Sequence, residues 1–307
     1  MRRLRLATRG SKLALWQAEA VRDALLAAHP GLPEPEIVVV TTTGDVVRDR
    51  PLAQVGGKGV FTREIDRRLL DGEADIAVHS MKDVETELTP GTILPAMLPR
   101  EDAREAFLSP VADSPASLPR GAVVGSSSIR RRAQLLAARP DLEIVLYRGN
   151  VDTRLAKLKA SEVAATLLAL AGLKRLGRAG EVTRVLSVEE MLPPAGQGAV
   201  GITCRADDTE AVALLAAIDH APTHTAVAAE RAVLARLDGS CRTPIAAHAT
   251  LDGGRLALEA MVLSGDGTRA ARGRREGPST DAVALGDDLG RELAREAGPD
   301  LFGSREA

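Results

Sequence analysis

Three observations predict an α/β fold of two similar lobes around a cleft, followed by a small α+β domain. Short β-rich runs alternate with helical runs over the first two thirds of the chain, the pattern of layered sheets flanked by helices. Within that region a segment recurs: "LLAAHPGL" (25–32) and "LLAARPDL" (135–142) agree at six of eight positions. Each copy is preceded by a strand, a Ser/Arg loop and a helix start, and each is followed by a strand opening Glu-Ile-Val. A shared order of elements makes two related lobes the natural reading. After "LPPAGQGA" (192–199) the character changes to one helix, several strand-like runs and a last helix.

In chain order, "RLRLAT" (3–8) reads as a strand and 11–29 as a helix that begins at Ser11, a residue type suited to capping an N-terminus. Buried strands follow at 36–42, 74–80, 121–126, 142–147 and 164–170. Helical segments fall near 60–71, 128–138 and 151–160, and the sheet is expected to be largely parallel. On the helix at 128–138, Ile129, Ala133 and Leu136 mark the expected buried face. The Pro-Pro and Gly-Gln-Gly of 192–199 read as a crossover or hinge. The C-terminal part predicts a helix at 224–237, strands near 245–251, 254–263 and 268–274, and a helix near 281–296. "EGPST" (276–280) reads as loop.

The chain has 307 residues, with a formal net charge of −2 and 2% aromatic residues. So few rings disfavour base stacking and single-strand nucleic-acid binding. No apolar run reaches membrane-spanning length, and the first residues lack the apolar stretch of a signal peptide, so a cytoplasmic protein is expected. Cys204, in the strand-like "VGITCR", reads as a buried small apolar residue. Cys241, in the Gly/Ser-rich turn "LDGSCRTP", reads as an incidental loop thiol or a reactive one. No second His or Cys stands at ligand spacing from His79, so no metal is predicted. His79 itself reads as a packed, hydrogen-bonded residue.

"GSSSIRRRAQLLAARP" (125–140) places Arg130, Arg131 and Arg132 at a helix start, where the helix dipole disfavours cations. Neighbours on a helix diverge by about 100°, so at most two of the three can line one pocket. Taken alone, the run reads as a solvated or salt-bridged face. Set beside Arg9 and Ser11 of "ATRGS", Arg148 and Arg154 of "YRGNVDTR", and Lys174 and Arg175 of "AGLKRLG", it reads as part of an anion site. Guanidinium forks suit carboxylates and phosphates, and the absence of a Walker-type motif turns the reading from nucleotides toward a polycarboxylate. "DIAVHSMKDVET" (75–86) is a buried strand that empties into Lys82 and Asp83, either an exposed ion pair or an acid/base pair. "QVGGKGVF" (54–61) suits a flap with Lys58 at its tip, or a plain surface loop.

Together these stretches resemble the porphobilinogen deaminase (hydroxymethylbilane synthase) family. "ATRGSKLALWQA", "TTTGDVVRDRPLAQVGGKGVFTREID", "ADIAVHSMKDV", "VGSSSIRRRAQLLAARPDL", "RGNVDTRLAKL", "LALAGLKRLG", "LPPAGQGAVGI" and "LDGSCRTPIAAHA" occur in family order over nearly the whole chain. The resemblance implies two lobes like those of periplasmic binding proteins and a smaller third domain, with domains at 1–98 plus 199–216, 103–193 and 221–307. It implies a dipyrromethane cofactor joined to Cys241 by a thioether, porphobilinogen as substrate, and a monomer in porphyrin and heme biosynthesis. Matched by position, Asp83 is the implied catalytic carboxylate, while Lys82, Ser128, Arg130 and Arg131 hold cofactor carboxylates. Arg9, Ser11, Arg148, Arg154 and Arg175 match substrate or chain positions, and Lys58 falls in the family's mobile loop. Arg132 is left without a role.

The chain departs from the family pattern in several places. Glu85 stands where proline commonly follows "HSMKDV", and is expected to loosen the turn beside Asp83. Gln54 takes a frequent lysine position, Thr203 a usual glutamate, and Ser161 the place of a customary glycine.

Overall fold

The computed structural model describes residues 1–47, 59–237 and 243–298. In chain order the elements are β1 (Arg5–Arg9), α1 (Lys12–Ala28), β2 (Glu36–Val40), α2 (Thr43–Val46), α3 (Arg63–Leu70), β3 (Ile76–Ser80), β4 (Thr92–Met97) and β5 (Glu105–Leu108). There follow β6 (Val123–Gly125), α4 (Ile129–Ala138), β7 (Glu143–Val145), α5 (Val151–Lys159), β8 (Ala165–Ala169), α6 (Leu170–Arg175) and β9 (Arg184–Val185). The last are β10 (Val200–Arg205), α7 (Thr209–Ala216), α8 (Ala221–Arg236), β11 (Ile245–Asp252), β12 (Arg255–Leu263), β13 (Ala270–Pro278) and α9 (Ala282–Ala297). Among the described residues the chain packs as two compact units, one of 1–47, 59–101 and 198–224, the other of 102–197 and 225–298.

The first unit is built on a five-stranded sheet in the order β2-β1-β3-β10-β4. Successive strand residues point to opposite faces, and both faces are apolar. Leu6 and Ile76 pack with Ala18, Val21 and Leu25 of α1, whereas Ala7 and Ala77 pack with Ile65 and Leu69 of α3. Helix α1 starts where the sequence predicts, because the Ser11 hydroxyl accepts the Ala14 N–H at 3.2 Å. Such a cap contributes about 1 kcal/mol.

The second unit contains a sheet in the order β7-β6-β8-β5-β9, whose topology repeats that of the first. In each sheet a central strand pairs parallel to two neighbours, β1 with β2 and β3, and β6 with β7 and β8. In each, the next strand joins antiparallel, β10 beside β3 and β5 beside β8. The internal repeat is therefore structural. The sheets are mixed and not largely parallel, because β4, β5, β9 and β10 all enter through antiparallel pairings. Those pairings join residues distant in sequence, as with Val200 opposite Ser80.

The second unit also carries an antiparallel sheet, β11-β12-β13, with its own core. Leu256, Leu258, Ala260 and Val262 alternate inward along β12 and pack with Val233 of α8 and Leu289 and Leu293 of α9. Residues 276–278, expected to be loop, instead complete β13 opposite Arg255–Ala257. No helix among the described residues is long and apolar enough to cross a membrane.

Candidate active site

In the first unit, β1 and β3 run parallel, so the segments that follow them leave the same edge of the sheet. That edge is where ligands bind open α/β sheets. It carries Arg9 at the end of β1, Ser11 at the cap of α1, and Lys82 and Asp83 in a single 3-10 turn, Met81–Asp83, directly after β3. Arg9, Ser11, Gln17, Phe61, His79, Ser80, Lys82 and Asp83 line one pocket there.

Arg9 organises this pocket. Its Nη2 meets Asp45 Oδ1 at 2.5 Å, while its Nη1 stands 3.8 Å from Asp83 Oδ2. The guanidinium also lies 4.2 Å from the centroid of the Phe61 ring, a cation–π geometry. Burial works against the charge of Arg9, but Asp45 and Asp83 outweigh it and raise its pKa above the ordinary value. Burial likewise pushes the Asp45 carboxyl up, and the hydrogen bonds from Arg9 and Thr42 more than reverse this. Asp83 keeps 30% of its side chain exposed, so it remains within reach of a ligand.

His79 is buried behind the turn, and burial together with the charge of Arg9 lowers its pKa to about 4. The imidazole is therefore neutral at pH 7, with Nε2 3.1 Å from the Thr203 hydroxyl. It is a packed, hydrogen-bonded residue, as expected. Cys204 is buried in β10 and its thiol is pushed up to about 11 by burial first, which makes it a poor nucleophile.

The second unit presents the matching edge. Strands β6, β7 and β8 are parallel, and the predicted residues follow their ends. Ser128 caps α4, its hydroxyl accepting the Arg131 N–H at 3.4 Å. Arg148 follows β7, and Arg154 lies on α5, with its Nε donating to the Gly149 carbonyl at 3.0 Å. Arg175 ends α6, the helix directly after β8. Lys174 lies 3.9 Å from Asp102.

Arg130 and Arg131 are not where their helix pattern would put them. Both are buried, whereas the expected inward residues Ile129 and Leu136 are only partly buried. The cause is Glu105 on β5, fully buried, whose Oε1 accepts from Arg130 and whose Oε2 accepts from Arg131 Nη2 at 2.7 Å. Arg130 also donates to the Leu192 carbonyl at 2.7 Å, and Arg131 to the Leu167 carbonyl at 2.9 Å. Burial lowers Arg130 to about 10, with Glu105 holding it up and Arg131 pushing it down. Arg132 alone of the three is exposed.

The porphobilinogen deaminase dipyrromethane cofactor binding domain matches residues 4–213, and the porphobilinogen deaminase C-terminal domain matches 224–295. The chain belongs to the porphobilinogen deaminase family. A chloroplastic porphobilinogen deaminase of Oryza sativa subsp. japonica is 53% identical, over 98% of this chain and 86% of its own length. The porphobilinogen deaminase of Nitrobacter hamburgensis is 52% identical, over 97% of this chain and 94% of its own. Among solved structures, the periplasmic VFT2 domain of Bordetella pertussis BvgS is similar at 15% identity and a TM-score of 0.41, covering 70% of this chain and 86% of that one.

A porphobilinogen deaminase holds a dipyrromethane that carries carboxylates, and the residues present fit such a group. Two buried guanidiniums face one carboxylate, which leaves one positive charge in excess. The Nε of Arg131 is buried and has no hydrogen-bond partner among the described residues, a donor that another acceptor would satisfy. Among the described residues no group of three or more His, Cys, Asp or Glu is placed to hold a metal ion. Cys241 and Lys58 lie outside the described residues.

Sequence reasoning missed Asp45, Phe61 and Glu105 as members of these sites. Glu105 left a signal, a lone acid in the otherwise apolar run "EAFL". A charge there requires a buried partner.

Proposed function

We propose that this member of the porphobilinogen deaminase family removes ammonia from porphobilinogen and joins four units head to tail into the linear tetrapyrrole hydroxymethylbilane. The observation that carries the reading is Asp83, a partly exposed carboxylate at the sheet edge, 3.8 Å from an arginine that Asp45 already grips. Asp83 accepts the substrate's pyrrole N–H and stabilises the positive charge that develops as the C–N bond breaks. After the new C–C bond forms, the same carboxylate is placed to take up the proton leaving the ring carbon. Arg9 stays charged and oriented because Asp45 and Phe61 fix it, and with Ser11, Arg148, Arg154 and Arg175 it binds the carboxylates of the substrate and the growing chain.

The dipyrromethane, when bound through Cys241, supplies the pyrrole carbon from which the chain grows. Lys82, Ser128, Arg130 and Arg131 hold its carboxylates, a role supported by the two guanidiniums at Glu105 and by an Arg131 Nε that has no partner among the described residues. The resemblance alone matches Lys58 to the family's mobile-loop position. The three separate sheets support a division into domains at 1–98 plus 199–216, 103–193 and 221–307. We read the protein as a cytoplasmic monomer.

Intact-mass analysis of the purified protein tests the attachment. A mass increased by one dipyrromethane and restored to that of the bare chain in Cys241→Ser is expected. An active enzyme of unmodified mass would exclude it.

A further inference from the structure

Glu85 stands two residues after Asp83, where the resemblance implies proline, and was expected to loosen the turn. It instead makes a tie. The partly buried Glu85 accepts the Gly59 N–H on its Oε1 at 2.7 Å, a charge-assisted bond that a proline side chain cannot make. Gly59 adopts φ +75°, a left-handed conformation that favours glycine. Its carbonyl accepts the N–H groups of Thr62 and Arg63, at 3.0 and 2.9 Å, where α3 begins.

The turn fixed in this way carries Phe61 to Arg9. Val60 accepts the Gly44 N–H at 2.9 Å, and the Phe61 ring packs so close to Gly44 that a Cβ there would lie 2.1 Å from Cε1. The other face of the contact is the Arg9 guanidinium, 4.2 Å from the ring centroid, and Arg9 in turn stands 3.8 Å from Asp83. Glu85 and Asp83 are thus linked twice: through the peptide bonds of Val84, and through Gly59, Phe61 and Arg9.

We propose that Glu85 is a positioning residue for this reaction, holding the Gly59–Thr62 turn so that Phe61 sets Arg9 against Asp83. The proposal rests on the assignment of Asp83 as the reacting carboxylate.

The test compares the wild-type holoenzyme with Glu85→Pro, Glu85→Ala and Glu85→Gln. Steady-state kinetics with porphobilinogen is paired with amide hydrogen exchange over residues 59–63. Losing the acceptor in the Pro and Ala variants should lower kcat roughly tenfold, as expected for a misplaced reacting group, with KM within about twofold. Exchange at Gly59 should quicken in both. Glu85→Gln retains an oxygen acceptor and should recover most of kcat and of the protection. Glu85→Pro supplies the residue common at this position, so it keeps the test valid even if Glu85→Ala does not fold. Wild-type kcat and wild-type exchange in Glu85→Pro would overturn the proposal, as would equal losses in Ala and Gln with unaltered exchange. Turnover of Asp83→Asn, measured alongside, separates the two assignments. Normal turnover in that variant overturns the Asp83 reading, while the Gly59 exchange reports the tie directly.

Discussion

Replacing Glu105 by glutamine tests whether Arg130 and Arg131 form a buried charged cluster. The side chains of Glu105, Arg130 and Arg131 are 0%, 5% and 8% exposed, so water does not screen their interaction. Glutamine keeps the shape but removes the charge, and turns an N–H₂ group toward a guanidinium that can only donate. Removing one member of a buried ion pair costs about 3–5 kcal/mol. For a chain of this size that corresponds to a fall in Tm on the order of 10 °C. The assay is thermal unfolding at neutral pH, with Asp71→Asn as control. Its partner Arg67 is 82% exposed, and an exposed pair contributes at most about 1 kcal/mol. Adding Arg131→Met to Glu105→Gln should recover part of the loss, because it removes the charge left in excess. A Glu105→Gln variant that melts like the control would refute the buried cluster.

Three further outcomes follow from the same geometry. Asp83→Asn should keep the bound dipyrromethane by mass yet lose at least about 100-fold in kcat, the range for a positioned acid/base group. His79 titrates near 4 in the folded protein against 6.5 ordinarily. The stability linked to it is therefore full above pH 6.5 and is lost as pH falls toward 4, about 3 kcal/mol in all. His79→Gln should flatten that part of the pH profile in urea unfolding, and an unaltered slope would contradict the assignment. Ser161 has φ 59°, in the left-handed region that favours glycine; Ser161→Gly should stabilise the protein by roughly 0.5–1 kcal/mol in the same assay.

Local chemistry was legible in the sequence and long-range pairing was not. Ser11 and Ser128 announce their helices because capping involves residues three apart, and both caps form. The repeat at 25–32 and 135–142 correctly announced two sheets of one topology. The inward turn of Arg130 and Arg131 depends on Glu105, 25 and 26 residues earlier in the chain, and no helical periodicity encodes that distance. The mixed character of the sheets likewise depends on β10 returning after the second sheet to pair with β3. Residues 276–278 looked like loop because Gly277 and Pro278 favour turns, yet Gly277 pairs opposite Leu256 at the end of a long hairpin. At the candidate site the motif residues were visible, whereas Asp45, Phe61 and the Glu85 tie were not. Their importance comes from contacts with Arg9 and Gly59, not from their own local pattern.

The most direct measurement is incubation of the purified protein with porphobilinogen while ammonia and linear tetrapyrrole are followed together. We expect catalytic turnover, with four ammonia molecules released for each hydroxymethylbilane and both products lost in Asp83→Asn. Stoichiometric binding of porphobilinogen without ammonia release would contradict it, leaving a binding protein for an organic acid in place of a deaminase.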